Sequence, residues 1–209
     1  MKTEIVVIGA GGHAKVCIEL LKAQGDVVAF CIGSSDSSDT CVGVPVLKSD
    51  DHLATLRNEG YSKVFVALGS NSLRSRLAQF ATDLGFELVN ALSPNAVISP
   101  SAKLGKGVAV MAGAVINAES SIGDLCIINT GATVDHDCQI GRAAHIAPQS
   151  ALAGNVEIGQ ETFVGIGTKI IPTICVGEFV MIGAGSVVIS SINSKTTVVG
   201  VPAKAINNI

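Results

Sequence analysis

The sequence predicts two parts of different fold class. A small α/β Rossmann-like domain spans residues 1–92, and a parallel β-helix spans residues 93–209. Three observations support this division: strand-like and helix-like segments alternate in the first part, an aliphatic residue recurs every six positions in the second, and a glycine there recurs every eighteen. The period changes just after Pro94.

The alternating segments of the first part predict a small parallel sheet covered by helices. Gly25, Gly60 and Gly85 end the three predicted helices, and Asp50 is the expected cap of the second. The predicted strands are EIVVIGAGG, VVAFCI, KVFVALG and ELVNAL; the predicted helices are HAKVCIELLKAQG, DDHLATLRNEG and SLRSRLAQFATDLG.

The second part carries an unbroken hexapeptide series. In a β-helix, one aliphatic side chain points inward from each short strand, a small residue two positions earlier fits the corner, and three hexads close one triangular coil. Sixteen repeats therefore predict about five coils, whereas a β-sandwich would space its strands at roughly 8–12 residues. The series is Ile98, Leu104, Val110, Ile116, Ile122, Ile128, Val134, Ile140, Ile146, Leu152, Ile158, Val164, Ile170, Val176, Ile182 and Val188.

Composition excludes several classes of function. The net charge of −3 argues against a nucleic-acid partner, which would require a basic surface. No apolar run approaches the roughly 18 residues of a membrane span, and the N-terminal residues do not resemble a signal peptide. The six cysteines are scattered without a CxxC pair, so we expect buried thiols in a cytoplasmic protein rather than disulfides or a zinc site.

Two of the four histidines, His136 and His145, lie nine residues apart in TVDHDCQIGRAAHIAP. The hexad register places His136 and Asp137 at a corner, and it predicts that His145 points outward beside the inward Ile146. Nine residues are half of one coil, so both rings cannot bind one metal within a single chain. They form an intersubunit site, or they are unrelated surface histidines.

Nearly the whole chain resembles the bacterial left-handed β-helix sugar acetyltransferases, which act on nucleotide-linked 4-amino-4,6-dideoxy sugars or, in related members, on sialic acid. The resemblance rests on IGAGGHAKVCIELL, ALGSN, NALSPNAVISPSA, INTGATVDHDCQIGRAAHIAP and GVPAK. It implies a homotrimer with active sites between subunits, acetyl-CoA as co-substrate, no metal, and a role in lipopolysaccharide or other glycan biosynthesis.

The resemblance also implies roles for individual residues. His136 is the expected general base, and Asp137 is its polarising partner, although relatives often have Glu at that position. His145 is expected near the acetyl-CoA thioester, and the backbone around Gly165, Ile166, Ala184 and Gly185 is expected along the acetyl-CoA arm between subunits. The residues expected to bind the nucleotide-linked amino sugar are Gly11, Gly12, His13, Gly69 and Asn129.

The first glycine turn, Gly9-x-Gly11-x-x-Ala14, follows a strand and precedes a helix, as in dinucleotide-binding proteins. The acidic residue that would grip a ribose is missing, because Gly33 occupies its place. A dehydrogenase is therefore disfavoured, while phosphate binding at the helix start remains expected. Ser34 and Asp36 are the residues that can substitute for the missing acid.

Three functions remain open from the sequence. The leading one is N-acetylation of a UDP- or GDP-linked 4-amino sugar. The second is O-acetylation of sialic acid or another sugar hydroxyl. The third is a β-helix that only binds or assembles; a zinc version would need three converging histidines, and only two lie in the repeats.

Overall fold

The structure is a computed structural model that describes residues 2–206, and it divides into two compact units, the first ending at Pro94 and the second beginning at Asn95. No helix among the described residues is long and apolar enough to cross a membrane. The elements of the first unit are β1 (Lys2–Ile8), α1 (Gly12–Ala23), β2 (Val28–Ile32), β3 (Thr40–Cys41), β4 (Val44–Leu47), α2 (His52–Asn58), β5 (Tyr61–Val66), α3 (Asn71–Asp83), β6 (Glu87–Leu88) and β7 (Ala91–Leu92).

The first unit is the Rossmann-like sheet that the alternating segments predict. Its strand order is β3-β4-β2-β1-β5-β6, and every pair except β3–β4 is parallel. The second half of the central strand β1, Ile5-Val6-Val7-Ile8, is almost fully buried, as expected for a central parallel strand.

The hairpin of β3 and β4 was not predicted. Its strands are joined by Val42 and Gly43, both with positive φ (51° and 75°). Two-residue turns of this kind usually have the sequence Asn-Gly or Asp-Gly. Because valine occupies the first position here, the sequence pattern does not indicate a hairpin.

Two smaller expectations also differ from the structure. Residues 87–92 form two short strands, β6 and β7, rather than one. The residue before α2 is Asp51, not Asp50, and it makes no side-chain capping bond. Its carboxylate instead accepts a hydrogen bond from the Ser49 hydroxyl at 2.8 Å.

The second unit is a left-handed parallel β-helix, as predicted. Its strands are β8 (Val97–Ile98), β9 (Lys103–Leu104), β10 (Ala109–Val110), β11 (Val115–Ile116), β12 (Ser121–Ile122), β13 (Ile127–Ile128), β14 (Thr133–Val134), β15 (Gln139–Ile140), β16 (His145–Ile146), β17 (Ala151–Leu152), β18 (Glu157–Ile158), β19 (Phe163–Val164), β20 (Lys169–Ile170), β21 (Cys175–Val176), β22 (Met181–Ile182), β23 (Val187–Val188), β24 (Thr197–Val199) and β25 (Lys204–Ile206).

Three parallel faces form because each strand from β8 to β20 pairs with the strand eighteen residues later. One face orders β10, β13, β16, β19 and β22, followed by the closing hairpin of β24 and β25; the second runs from β8 through β11, β14, β17 and β20 to β23; the third runs from β9 to β21. Every aliphatic residue of the hexad series from Val110 to Val188 is buried. Ile98 and Leu104 are only half-buried, since β8 and β9 are the first strands of their faces.

The small residues beside the corners tie successive coils together. Ser120, Cys126, Cys138, Ser150 and Thr162 each donate a side-chain hydrogen bond to a backbone carbonyl fifteen residues later, over 2.6 to 3.2 Å. Two of the scattered cysteines are thus corner residues of the scaffold. All six cysteines are free, and Cys175, unlike the other five, is exposed.

Candidate active site

His136 and Asp137 lie in the turn between β14 and β15, at a corner of the β-helix. Nδ1 of His136 lies 2.8 Å from Oδ2 of Asp137. An ionised carboxylate only accepts hydrogen bonds, so Nδ1–H is the donor and Nε2 of the neutral ring carries the free lone pair. Both side chains are about half exposed, at 54% and 51%. The corner therefore presents an accessible imidazole in a defined tautomer.

Asp135 and Asn117 support this corner, and the sequence did not single them out. Oδ1 of Asp135 accepts hydrogen bonds from Nδ2 of Asn117 and from the backbone N–H of His136, each at 2.9 Å. The Asn117 bond is the larger cause, followed by the backbone bond, of a lowered pKa of Asp135. Because the two side chains are eighteen residues apart on adjacent coils, the hexad spacing is the signal that could have paired them.

The hydrogen bond to Asp137 raises the pKa of His136 above its ordinary value of 6.5. Partial loss of solvation opposes this shift, and the negative charges of Asp135 and Asp137 add to it. The bond to Asp137 thus makes His136 a stronger proton acceptor than a free imidazole.

A groove of about 480 Å³ runs beside this corner. It follows the outer side of β11, β14, β17 and β20, and Asn117 and Asp135 lie at one edge. Thr133, Lys169 and Pro172 also line it. The His–Asp corner thus borders a surface depression in which a substrate can lie.

His145 begins β16 on a different face of the β-helix. Its side chain was expected to point outward, yet the residue is only 8% exposed. Phe163 on the next coil meets the imidazole edge to face at 5.1 Å, and Nδ2 of Asn129 lies 3.0 Å from Nε2. The register gives the direction of a side chain, but not the neighbours that cover it.

The four residues expected to line the acyl donor lie together at one corner, on two adjacent coils. The amide of Gly185 donates to the carbonyl of Ile166 at 2.7 Å, and the amide of Gly165 donates to that of Ile182 at 2.9 Å. Ile166 is 56% exposed, and a Cβ on Gly185 would meet nothing within 4 Å. This corner offers an exposed apolar side chain beside bare backbone.

In the first unit, a groove of about 730 Å³ lies at the carboxyl ends of the parallel strands, where ligands bind in sheets of this kind. Of the four residues expected to hold the nucleotide there, Gly11 lines the groove directly. A Cβ on Gly11, Gly12 or Gly69 would meet nothing within 4 Å, so these turns are open. The groove also contains Asp50 and Arg76, which the sequence did not assign to it.

Gly33 has a steric reason for lacking the expected acidic side chain. A Cβ there would lie 2.6 Å from Oγ of Ser37 and 2.8 Å from Cγ1 of Val46. Asp36 lines the same groove, and its carboxylate accepts a hydrogen bond from the Ser34 hydroxyl, which lowers the pKa of Asp36. The loop after β2 therefore supplies a carboxylate to this groove through Asp36, whereas position 33 supplies none.

His13 lies in the first turn of α1, with Nε2 3.5 Å from Sγ of Cys17. Burial, and secondarily the positive charge of Arg74, lowers the pKa of His13 to about 4. Arg74 is 1% exposed and donates to the carbonyls of Leu68 and Gly69 at 2.8 and 3.3 Å. His13 is thus a neutral group near neutral pH, and Arg74 holds the second glycine turn.

The structure does not bring all the expected site residues together. His136 lies at a corner, and His145 lies on a face to which neither β14 nor β15 belongs. Within residues 2–206, no three His, Cys, Asp or Glu side chains gather as metal ligands would. Fold and site define a class of protein: a hexapeptide-repeat β-helix with a His–Asp pair at a corner, preceded by an α/β unit with open glycine turns.

Comparisons with known proteins agree with this class. The family model described as PglD N-terminal domain matches residues 4–80. UDP-N-acetylbacillosamine N-acetyltransferase of Bacillus subtilis is 36% identical over 111 residues, which cover 52% of this chain and only about half (51%) of that protein.

Solved structures match over nearly the full length. A point mutant of perosamine N-acetyltransferase from Caulobacter crescentus, in complex with CoA and GDP-perosamine, is 50% identical with a TM-score of 0.96; the match covers 98% of this chain and 97% of that one. The acetyltransferase domain of PglB from Neisseria gonorrhoeae, in complex with acetyl coenzyme A, is 39% identical with a TM-score of 0.91, over 99% and 100% of the two chains.

This chain belongs to the bacterial left-handed β-helix sugar acetyltransferases that carry a PglD-type N-terminal domain, a family of acetyl-CoA-dependent N-acetyltransferases.

Proposed function

We propose that this protein transfers the acetyl group of acetyl-CoA to the C4 amine of a nucleotide-linked 4-amino-4,6-dideoxy sugar, with His136 as general base. The observation that carries the proposal is the 2.8 Å contact between Nδ1 of His136 and Oδ2 of Asp137, which leaves Nε2 as the proton acceptor. Membership of a family of sugar N-acetyltransferases supplies the reaction class.

The chemistry suits this corner. Nε2 of His136 removes a proton from the acceptor nitrogen, and the nitrogen attacks the thioester carbonyl. A C–N bond forms and the C–S bond breaks, so the sulfur leaves as CoA thiolate and takes up a proton. Asp137 stabilises the imidazolium that forms and holds the ring in its tautomer, as in other His–carboxylate pairs.

The acyl donor is proposed to lie along the exposed corner of Gly165, Ile166, Ala184 and Gly185. The apolar side chain of Ile166 and the open backbone at Gly185 suit a pantetheine arm, which needs close approach to main-chain groups. His145 is proposed to serve the thioester side of the site.

A GDP-linked sugar is the leading acceptor. The Caulobacter relative that is 50% identical over nearly the whole chain is bound to GDP-perosamine, whereas the match to the Bacillus enzyme, named for a UDP-linked sugar, covers only half the chain at 36%. The nucleotide is assigned to the groove beside Gly11, where Asp36 supplies a carboxylate and Arg76 a cation. Glycan biosynthesis is the process that such a product would enter.

The direct test is a thiol-release assay with acetyl-CoA against GDP- and UDP-linked 4-amino sugars and free sialic acid. We expect release with a GDP-linked amine, and His136→Ala should lose about 10²–10⁴-fold in kcat. His52→Ala, at an exposed histidine of the first unit, is the matched control and should retain activity. Thiol release only with sialic acid would instead indicate O-acetylation. If none of the acceptors produced thiol release, a non-enzymatic β-helix would be favoured.

We further propose a homotrimer whose sites combine His136 of one subunit with His145 of the next. The support is the location of the two residues at a corner and on a separate face of the same β-helix. Mixing His136→Ala with His145→Ala after partial unfolding should give more activity than either variant alone, because some hybrid sites receive both histidines. Hybrid trimers that are no more active than the single variants would assign both histidines to sites within one chain.

A further inference from the structure

The ring of His136 lies across the α-carbon of Gly154, the residue one coil above it. A Cβ built on Gly154 would lie 2.5 Å from Cε1, 2.6 Å from Nε2 and 3.1 Å from Nδ1 of His136. Real Cβ atoms do not approach ring atoms this closely. The backbones of the two coils are also tied here, since the amide of Asn155 donates to the carbonyl of His136 at 3.0 Å. The coil above therefore cannot move away to make room for a side chain.

Backbone conformation does not explain this glycine. Gly131 and Gly167 have positive φ, at 63° and 72°, where glycine is favoured. The φ of Gly154 lies outside that region, so an alanine could adopt the same backbone. The evident effect of a glycine at position 154 is therefore steric: it leaves the space that the His136 imidazole fills.

We infer that Gly154 is the positioning residue of His136: its missing side chain lets the ring lie flat over the next coil while Nδ1 stays bonded to Asp137. An effect of Gly154 on turnover rests on the proposed role of His136 as general base. Its effect on the position of the ring does not depend on that role.

The electrostatic surroundings of the ring make its position measurable. On its own coil, His136 lies between Asp135 and Asp137. The coil above contributes the uncharged Gly154 and Asn155 at the matching positions, and the coil below contributes Ala118 and Glu119. Asp137 is the group that accepts the Nδ1–H bond, so a ring displaced by an added methyl group loses mainly that bond.

The first experiment is an NMR titration of the histidine side chains in the wild type and in Gly154→Ala. The four histidines are few enough to assign by substitution. We expect the pKa of His136 to fall toward 6.5 in the variant. An unchanged pKa of His136 would overturn the inference, whatever happens to activity.

Kinetics give a second readout. Gly154→Ala should lower kcat by roughly 10²-fold, as expected for a misplaced catalytic group, with little change in KM for acetyl-CoA. Adding Asp137→Asn to Gly154→Ala should cost little more, because both changes remove the same contact. Fully additive losses would contradict the inference. If His136→Ala is itself active, the general base is wrong, but the NMR result still decides the role of Gly154.

A thermal-denaturation cycle covers the case in which Gly154→Ala folds poorly. The added methyl group clashes with the His136 ring, so it should lower the melting temperature of the wild type but not that of His136→Ala, where the space is empty. Rescue of the fold by His136→Ala would support the inference. An equal loss in both backgrounds would show that Gly154 is needed for some other reason, and the inference would fail.

Discussion

Asn129 and His145 face each other across adjacent coils of the β-helix, with Nδ2 of Asn129 3.0 Å from Nε2 of His145. The amide is oriented by its other end, because the backbone N–H of Thr130 donates to Oδ1 of Asn129 at 2.8 Å. Nδ2–H therefore donates to Nε2, and the neutral ring of His145 carries its hydrogen on Nδ1. Two residues that the sequence assigned to different substrates are one hydrogen-bonded unit.

The coupling of Asn129 and His145 is open to a double-mutant cycle. Asn129→Ala and His145→Ala should each reduce kcat/KM for acetyl-CoA, because each disrupts the same unit. Their effects should not add, and a coupling of about 0.5–3 kcal/mol is typical of residues in direct contact. Initial rates with varied acetyl-CoA measure all three variants. Strictly additive effects on kcat/KM would show that Asn129 and His145 act independently.

Asp137→Asn should move the acidic limb of the pH–activity profile to lower pH. A general base must be unprotonated, so activity is lost as the pH falls through the pKa of His136. The bond to Asp137 is the main cause of the raised pKa, and its removal lowers that pKa toward 6.5. Comparing kcat/KM between pH 5.5 and 9 in the two proteins cancels the titration of the acceptor amine. If the acidic limbs of the two profiles were identical, Asp137 would not influence the titration of the general base.

Arg74→Met should destabilise the first unit. Its buried guanidinium donates to two carbonyls and to Oδ1 of Asn71 at 2.9 Å, and the substitution removes these three hydrogen bonds from a charged donor. We expect the free energy of unfolding to fall by about 1–3 kcal/mol, as measured by urea denaturation. Arg76→Met, at an exposed position of the same helix, is the matched control for stability. Equal losses in both variants would contradict a special role for Arg74.

His13 should make folding sensitive to acid. Its folded pKa is about 4, below the ordinary 6.5, so between these values the unfolded chain binds a proton that the folded chain does not. The unfolding free energy therefore falls as the pH drops, by about 1.4 kcal/mol per unit at most and roughly 3 kcal/mol over the window. Urea denaturation at pH 7, 6, 5 and 4.5 measures this slope.

His13→Asn should remove that part of the slope, because asparagine does not titrate. A slope that survives His13→Asn would assign the acid sensitivity to other groups.

Some features of the site were within reach of the sequence, and others were not. The position of His136 at a corner follows from its distance of two residues from the inward Val134. The pairing of Asn117 with Asp135 also follows from the eighteen-residue spacing, although only the structure drew attention to it. The burial of His145 could not be predicted, since it depends on the edge-to-face contact with Phe163 and on the orientation of Asn129.

The sequence by itself determined the architecture. One aliphatic residue in six can be buried only if successive coils stack in register, so the hexad series predicts the strands, the corners and the pairing of residues eighteen apart. Alternating strand and helix periods likewise predict the parallel sheet of the first unit, apart from its β3–β4 hairpin.

Only the tertiary structure decided how individual side chains fill the space between these elements. Gly33 lacks a carboxylate because Ser37 and Val46 occupy its surroundings, and Gly154 lacks a side chain where the His136 ring lies. Steric crowding of this kind depends on distances of a few tenths of an ångström between residues brought together by folding. A periodic pattern specifies which residues become neighbours, but it carries no information at that scale.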